Sequence, residues 1–405
     1  MSQDWELRPL NDVIEFNPKE SLKAGTLAPY IDMASLPVAS RWHLDPIERP
    51  ASSGSRFRDG DTLLARLTPC LENGKTAEVR RLGAGVVGWG STEFIVMRAK
   101  PEVILPGLVY LLAREPAFRD YAVQQMTGTS GRQRVPVDTL RSYEMALPPL
   151  SEQRRIVEVM SALDDLAEHQ LRILEQIDRI VPAVARLSLD SSSSTSEQKL
   201  TDLVSVTNGY SYTSAELVDR SNVALVNLKN FARTGGFRLD GLKPLAGSPK
   251  ATQFLEPGDI LVAKTDLTQD AEVVGRCMRM PDIRGFAKFV ASLDAAVLRP
   301  SSSVPREVLL AVLSLREFRD HCLGYANGTT VLHLSKDALP AYTVTLPDSV
   351  QMARLTETIS SLGVQQDHAL AELHATAAMH DFLLPRLLSG ELRVSEAADQ
   401  LEEAS

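Results

Sequence analysis

The chain has 405 residues, 44% of them hydrophobic, which is enough to fill the cores of two or more domains. A net charge of -9 argues at first against a nucleic-acid partner, and the three widely spaced cysteines exclude a zinc site of the CxxC type. No stretch approaches 18 consecutive apolar residues and no signal-peptide pattern is present, so we expect a cytoplasmic protein without a membrane segment.

The charge is unevenly distributed along the chain. Residues 1–150 carry 18 basic and 18 acidic side chains, residues 191–348 carry 17 of each, and the acidic excess lies in 151–190 and 349–405. A neutral segment can still gather a basic face, so the two large segments stay candidates for contact with phosphate. The acidic segments are not expected to lie along it.

The first 150 residues show short strand patterns. Alternating or wholly apolar segments bounded by glycine and proline predict strands at GDTLLARL (60–67), STEFIVMRA (91–99) and SYEMALP (142–148). Between them, LVYLLAREPAFRDYAVQQM (108–126) predicts a helix. This mixture predicts an α+β domain with a strongly twisted sheet.

The pattern changes period after the proline pair at positions 148 and 149. Apolar residues then recur at alternating spacings of four and three, which is typical of a coiled-coil seam. Ser151 is placed to cap this helix, and Glu152 to interact with the positive end of its dipole. Gln170 and Gln366 at seam positions are predicted to fix register and pairing. The two seams comprise Ile156, Met160, Leu163, Ala167, Gln170, Leu174, Ile177, Val181 and Val184, and later Leu355, Ile359, Leu362, Gln366, Ala369 and Leu373.

The chain contains an internal duplication. Three separate blocks repeat with offsets that stay within two residues of each other, which predicts two copies of the same plan. The paired blocks are 57–66 with 255–264, 117–140 with 317–339, and 143–156 with 342–355.

Each copy is therefore expected to form a domain followed by a long helix, and the two helices to pack as an antiparallel coiled coil. A helix of some 35 to 40 residues gives a rod of roughly 55 Å, on the order of 16 base pairs of duplex DNA. Ser191–Ser196 is predicted to be a linker. The predicted order is a first domain (1–150), a first helix (151–190), a second domain (191–348, with a linker at 191–199), a second helix (349–390) and an acidic tail (391–405).

Two motifs accompany this duplication: LPPLSEQRRIVEVMSALDDL (147–166) at the first junction and FLLPRLLSGELRV (382–394) near the C-terminus. In this order and spacing they resemble the specificity subunit of type I restriction-modification enzymes, and the resemblance covers essentially the whole chain. The second junction, LPDSVQMARL (346–355), is a degenerate version of the first.

The resemblance implies a function without catalysis. Each domain would be a target-recognition domain that reads one half of a split site in double-stranded DNA. The helices would act as spacer and as docking surface for two modification (methyltransferase) subunits, joined by restriction/translocase subunits. S-adenosylmethionine, ATP and Mg²⁺ would be bound by those partners, and no cofactor by this chain.

The residues themselves carry no methyltransferase motif, no phosphate-binding loop and no HExxH motif. Two alternatives remain open: a coiled-coil scaffold whose two end domains bind proteins, and a DNA-specificity module of a related phage-defence system. A self-contained nuclease or methyltransferase lacks the motifs that it would need.

Candidate DNA-contacting residues lie in polar loops, since bases are read by side-chain donors and acceptors that enter a groove. The loop GTSGRQR (128–134) follows the predicted helix and has glycines that permit tight turns, although it could be a simple polar turn. Its second-copy counterpart is NGTTVLH (327–333). The candidates in these loops are Ser130, Arg132, Gln133 and Arg134, and Asn327, Thr329, Thr330 and His333.

Five further candidates lie elsewhere. Arg66 and Lys264 occupy equivalent places after the Gly-Asp pairs, and Lys75 is expected to be exposed by an Asn-Gly turn, so all three are candidates for phosphate contact. Tyr210 and Tyr212 could stack on nucleotides or cover the edge of the domain.

Overall fold

The structure, a computed structural model, describes residues 5–38, 40–42, 46–129, 131–267, 269–301 and 303–394. The chain divides into two compact units. Unit 1 comprises the described residues of Met1–His169 and Ala375–Ser405, and unit 2 comprises those of Gln170–His374. Since the two long helices of the chain pass through this division, each unit contains one part of both.

The domain of unit 1 contains ten short strands and four short helices among its described residues. The strands are β1 (Glu6–Pro9), β2 (Ile14–Phe16), β3 (Leu27–Ile31), β4 (Ile47–Pro50), β5 (Ser55–Phe57), β6 (Thr62–Ala65), β7 (Thr76–Glu78), β8 (Gly88–Gly90), β9 (Phe94–Ala99) and β10 (Glu144–Leu147). The helices are α1 (Leu10–Val13), α2 (Pro106–Arg114), α3 (Pro116–Gln124) and α4 (Val137–Arg141). The first long helix, α5, spans Leu150–Asp190.

Two four-stranded sheets form the body of this domain. One sheet has the order β2-β9-β6-β7 and is antiparallel; the other has the order β4-β3-β8-β5, with β3 and β8 parallel. A separate antiparallel pair, β1 with β10, joins the two ends of the domain. Leu64 packs with α2 and the long helices, whereas Leu63 faces the second sheet. Because both faces of β6 are covered, its four residues are buried and apolar or hydroxylated.

The domain of unit 2 repeats this plan. Its strands are β11 (Ser196–Lys199), β12 (Val204–Asn208), β13 (Val223–Val226), β14 (Lys243–Pro244), β15 (Phe254–Leu255), β16 (Ile260–Ala263), β17 (Thr265–Asp266), β18 (Cys277–Arg279), β19 (Lys288–Ala291), β20 (Ala295–Pro300), β21 (Ala326–Asn327), β22 (Leu332–Leu334) and β23 (Thr343–Leu346). Its helices are α6 (Leu200–Leu203), α7 (Arg306–Leu313), α8 (Arg316–Gly324) and α9 (Ala338–Ala341), with 3-10 turns at Ser214–Glu216, Leu228–Asn230, Leu239–Gly241 and Ala251–Gln253. The second long helix, α10, spans Ser349–Ser389.

The two four-stranded sheets and the terminal strand pair match those of unit 1 in strand order, whereas the three-stranded sheet β17-β22-β21 occurs, among the described residues, in unit 2 alone. The sheet β12-β20-β16-β18 corresponds to β2-β9-β6-β7, and β14-β13-β19-β15 corresponds to β4-β3-β8-β5, again with one parallel pair, β13 with β19. The β11-β23 pair corresponds to β1-β10. The α+β fold and its duplication, predicted from the repeated blocks, are confirmed.

The seam residues of the long helices are buried or partly buried in both units. In unit 1, Ile156 and Met160 of α5 share a core with Leu383 and Leu387 of α10. In unit 2 the later part of α5 shares cores with the earlier part of α10, as Leu174 does with Leu370. The start of one helix thus meets the end of the other, which confirms the antiparallel packing. Both seam glutamines, Gln170 and Gln366, are 7% exposed.

Three local predictions were wrong. The segment 108–126 forms two helices rather than one, because Pro116 begins α3 and the Glu115 carboxylate caps it by accepting a hydrogen bond from the Phe118 amide. The long helix begins at Leu150, so Ser151 lies inside its first turn and is not the cap. The linker predicted at 191–199 is shorter than expected, since β11 already begins at Ser196, and within it Ser193 is bonded to Asp348.

The two Gly-Asp pairs, Gly60-Asp61 and Gly258-Asp259, form turns and also carry an ion pair. Gly60 and Gly258 have φ values of 87° and 92°, a left-handed conformation that suits glycine. The carboxylate that follows accepts from an arginine on the last strand of the same sheet: Asp61 from Arg98 and Asp259 from Arg299. Within the described ranges, no helix is long and apolar enough to cross a membrane.

Candidate nucleic-acid interface

The predicted loop of unit 1 is a tight turn that follows α3. Thr127 and Arg134 exchange two backbone hydrogen bonds of 2.9 Å and so close the loop. Gly128 has a φ of 127°, and a Cβ there would lie 2.9 Å from the Arg132 carbonyl oxygen, so the turn needs a glycine. The loop leaves Arg132 exposed and Gln133 half-buried, whereas Ser130 lies outside the described residues.

An acidic residue lies beside this loop. The Arg134 guanidinium forms a forked ion pair with Glu93, with N–O distances of 2.7 to 3.0 Å, and this pairing lowers the pKa of Glu93. Arg66 is close by: its Nη2 donates to the Val135 carbonyl at 3.1 Å, and its Nε is buried without an acceptor. Part of the positive charge predicted for this surface is therefore already neutralised.

The corresponding loop of unit 2 is a short hairpin of β21 and β22. Gly328 has a φ of 137°, and a Cβ there would collide with the Val331 carbonyl. The four side chains predicted to contact DNA are exposed, and one of them, Asn327, donates to the Tyr325 carbonyl at 3.3 Å. These residues are Asn327, Thr329, Thr330 and His333.

Both loops sit on the same backbone frame. The backbone amide of Arg66 donates to the Glu93 carbonyl, and the Arg66 carbonyl accepts from the Val135 amide. In the same way, the Lys264 amide donates to the Asp294 carbonyl, and the Lys264 carbonyl accepts from the Leu334 amide. All four bonds are 2.7 to 3.0 Å long. Each unit thus brings together the basic residue after its Gly-Asp turn, an acidic residue and the predicted loop.

The acidic members, Glu93 and Asp294, were missed at the sequence level. The signal was present, because STEF (91–94) and SLDA (292–295) align at an offset of 201, close to that of the other repeated blocks. In both copies the serine two positions earlier is hydrogen-bonded to the acidic residue: the Ser91 hydroxyl accepts from the Glu93 amide, and the Ser292 hydroxyl donates to the Asp294 carboxylate.

Lys264 is less available than its predicted role suggests. Its Nζ donates to the Asn208 side chain at 2.9 Å, and burial lowers its pKa. Lys75 is not exposed by its turn, contrary to the prediction. It is half-buried, and its Nζ donates to the carbonyls of Met33 and Ala34 at 2.7 and 3.3 Å.

The two tyrosines cover the edge of the domain. Tyr210 and Tyr212 are partly buried against the apolar cluster of Leu225, Leu245 and Val290. The Tyr210 hydroxyl also donates to the Glu216 carboxylate and accepts from the Ser248 amide. A stacking role would require these contacts to be given up.

The exposed donors and acceptors differ between the two loops although the frame is shared. Arg132 and Gln133 suit guanine and adenine edges, and Asn327 suits adenine, when they enter a major groove. Among the described residues there is no cluster of His, Cys, Asp or Glu that could hold a metal ion.

Each domain is also fastened to the long helix that follows it. In unit 1, Gln153 is 1% exposed; it accepts from the Leu105 amide at 2.9 Å and donates to the carbonyls of Val103 and Pro148. In unit 2, Asp348 caps α10 by accepting from the Gln351 amide, and it also accepts from Ser193. The first of these motifs is visible in the sequence, but the hydrogen bonds that explain it are not.

A buried arginine adds to the attachment in unit 1. The Arg41 side chain is 1% exposed and contacts the carboxylates of Glu78 and Asp164 at 2.5 and 3.2 Å, and the Ser161 hydroxyl at 2.8 Å. Burial raises the pKa of Asp164 to about 6. In unit 2 the side chain of Arg279, on β18, bonds to Gln366 and Asp367 of α10.

The described chain thus contains two copies of one α+β domain, each followed by a long helix and each with one polar loop. Residues 2–179 match the family model of the type I restriction modification DNA specificity domain. The chain is 29% identical over 198 residues to the EcoAI specificity subunit and 29% identical over 202 residues to the EcoEI specificity subunit, both from Escherichia coli. These alignments cover 46% and 47% of this chain, and the chain spans about a third of the length of either relative.

The type I restriction-modification S subunit from M. genitalium has the same fold, with a TM-score of 0.54 over 95% of this chain and 96% of that one, at 14% identity. Residues 2–179 therefore match a type I restriction modification DNA specificity domain, and this match and the two relatives bear out the resemblance inferred from the sequence motifs.

Proposed function

We propose that this chain is the DNA-recognition subunit of a type I restriction-modification complex, in which each domain reads one half of a split target. The observation that carries the proposal is the pair of loops, 127–134 and 326–334, which share one backbone frame but present different side chains. Two copies of one reading surface with different contents suit two different half-sites.

The roles of the loop residues follow from their exposure. Arg132 is exposed and, among the described residues, forms no ion pair, so it is the cation of the unit 1 loop that is most available for DNA. To contact DNA, Arg134 would have to break its ion pair with Glu93 and bind a base or a phosphate instead. The Glu93 carboxylate would repel phosphate if it stayed nearby. Such a carboxylate disfavours non-specific binding more than binding at a site that offers Arg134 a better partner.

Catalysis would belong to partner subunits. The long helices would carry two modification subunits that bind S-adenosylmethionine, and restriction subunits would use ATP and Mg²⁺. This chain would recognise the target DNA sequence, in the cytoplasm, and would bind no cofactor itself. Lys75, Tyr210 and Tyr212 would contribute to folding more than to DNA contact, given the bonds that they already make.

The proposal is tested by co-expressing the chain with its modification partner and sequencing methylated genomic DNA at single-molecule resolution. We expect one split, non-palindromic motif. Exchanging Asn327 and Thr329 for alanine should alter one half of that motif and leave the other half and the spacer unchanged. The matched control is Arg316→Gln, whose side chain is 89% exposed on α8. An active modification partner that methylates no defined motif would favour the scaffold function instead.

A further inference from the structure

Unit 2 contains a cavity of about 80 Å³ between its domain, the later part of α5 and the earlier part of α10. One water molecule needs roughly 10–15 Å³ of such space, so the cavity has room for a group of several non-hydrogen atoms. Ile177, Val181 and Leu362 form its apolar wall. Its charged wall consists of Asp178, Arg276, Arg279 and Arg319.

The same place in unit 1 is filled by the Arg41 side chain. Glu78 and Arg279 occupy corresponding positions, because they pair with Thr62 and Ile260 at the same point of the two equivalent sheets. In unit 1 the carboxylate of Glu78 holds the Arg41 guanidinium, which also lies 4.8 Å from the centre of the Tyr110 ring. In unit 2 the wall charge is reversed, and no side chain of the described chain fills the space.

Two of the arginines are bonded to the backbone, and one of them, Arg276, also interacts with the nearby charge of Asp178. Among the described residues, neither Arg276 nor Arg319 forms an ion pair; they donate instead to the backbone carbonyls of Glu272 and Ala271, at 2.8 and 2.7 Å. The Nε of Arg319 is buried without an acceptor. Burial, and then the neighbouring charge of Arg319, lower the pKa of Arg276. Two like charges held close together in a partly buried wall would be stabilised by an anion.

The carboxylate in the wall is already engaged. Asp178 accepts from the Thr234 hydroxyl at 2.8 Å, and the backbone of Gly236 lies against it so closely that a Cβ would collide. Arg279 is likewise bonded to Asp367. The two cations left for a ligand are Arg276 and Arg319, and together they outweigh the single negative charge of Asp178.

We propose that this cavity binds a free oxyanion of about the size of phosphate, held by the guanidinium groups of Arg276 and Arg319. The anion would occupy the place that the Arg41 side chain fills in unit 1. There a cation is held by carboxylates, whereas in unit 2 an anion would be held by arginines. This site is separate from the predicted DNA-reading loop of unit 2.

The test is isothermal titration calorimetry of the full chain with sodium phosphate, against sodium chloride of equal ionic strength. We expect one saturable phosphate site. Arg276→Met and Arg319→Met should each weaken binding at least about tenfold, because each removes charge-assisted hydrogen bonds. Arg316→Gln removes the same charge from the same helix as Arg319, but on an exposed side chain, and should leave the affinity unchanged.

Arg276→Lys and Arg319→Lys guard against misfolding, since they keep the charge but lose the planar fork, and should give intermediate affinities. Absence of saturable binding would overturn the proposal. Equal binding by wild type and both methionine variants would show an adventitious ion only. Displacement of phosphate by duplex DNA would also overturn it, because phosphate would then stand in for the DNA backbone.

Discussion

The two domains are attached to their long helices by different chemistry, although their backbones follow the same plan. The first attachment is buried: Gln153 makes three hydrogen bonds, and Arg41 bridges two carboxylates. The second is partly exposed and uses Asp348 and Arg279. The residue aligned with Gln153 is Met352, which packs against the core of unit 2.

The two copies therefore share a backbone geometry but not the polar contacts made on it. The strand orders and the frame of the two loops are common to both copies. The polar partners that hold each domain on its helix were replaced, and so were the side chains that each loop exposes. A weaker second attachment would leave that domain less firmly fixed.

The largest expected effect comes from Arg41. Replacing it by methionine leaves Glu78 and Asp164 buried without their cation and should destabilise unit 1 by about 3–5 kcal/mol. Arg279→Met is the matched change in unit 2; since the Arg279 side chain is 16% exposed and Asp367 is 25% exposed, it should cost only roughly 1 kcal/mol. Urea unfolding measures both. Equal losses would contradict the proposed difference between the two attachments.

Gln153→Leu should have the next largest effect. It leaves the Leu105 amide and the carbonyls of Val103 and Pro148 without a partner, at a cost of about 2–3 kcal/mol. Met352→Leu, the matched apolar change in unit 2, should cost less than about 1.5 kcal/mol. Hydrogen exchange at Leu105 locates the effect, and an unchanged rate there would show that Gln153 does not fasten this loop.

The smallest effect concerns pH. Hydrogen bonds from the Gln351 and Ser193 amides lower the pKa of Asp348 to about 2, below its usual value near 4. A carboxylate whose pKa is lowered by folding stabilises the fold above its unfolded pKa, and this contribution is lost as the pH falls through the folded value. The second junction should therefore weaken between about pH 4 and pH 2. Asp348→Asn should remove this dependence from thermal unfolding curves, and an unchanged curve would contradict the assignment.

Much of the fold could be predicted because its signals are repeated or periodic. The Gly-Asp turns, the strands at 60–67 and 91–99 and the two seams all follow from local spacing. The strand order could not be predicted, since it depends on pairings such as β6 with β9, which are distant in sequence. One proline, Pro116, was enough to divide a predicted helix.

For the candidate site, the sequence predicted where the two loops lie but not which partners their side chains bind. The loops lie where the repeat placed them, but the partners of Arg134, Lys264 and Lys75 come from distant segments, which no local pattern announces. The Arg41 network and the cavity of unit 2 were missed for the same reason. A single buried residue such as Arg41 leaves no periodic pattern in the sequence, and the corresponding place in the second copy is a cavity.

The most direct test of two independent reading domains is a symmetrised chain. Residues 6–147, bounded by the β1–β10 pair, would replace residues 196–346, bounded by the equivalent β11–β23 pair. Single-molecule methylation sequencing should then return a target in which the first half-site occurs twice and the second is absent. Methylation of the original split target by this chain would contradict the claim that each domain reads its own half.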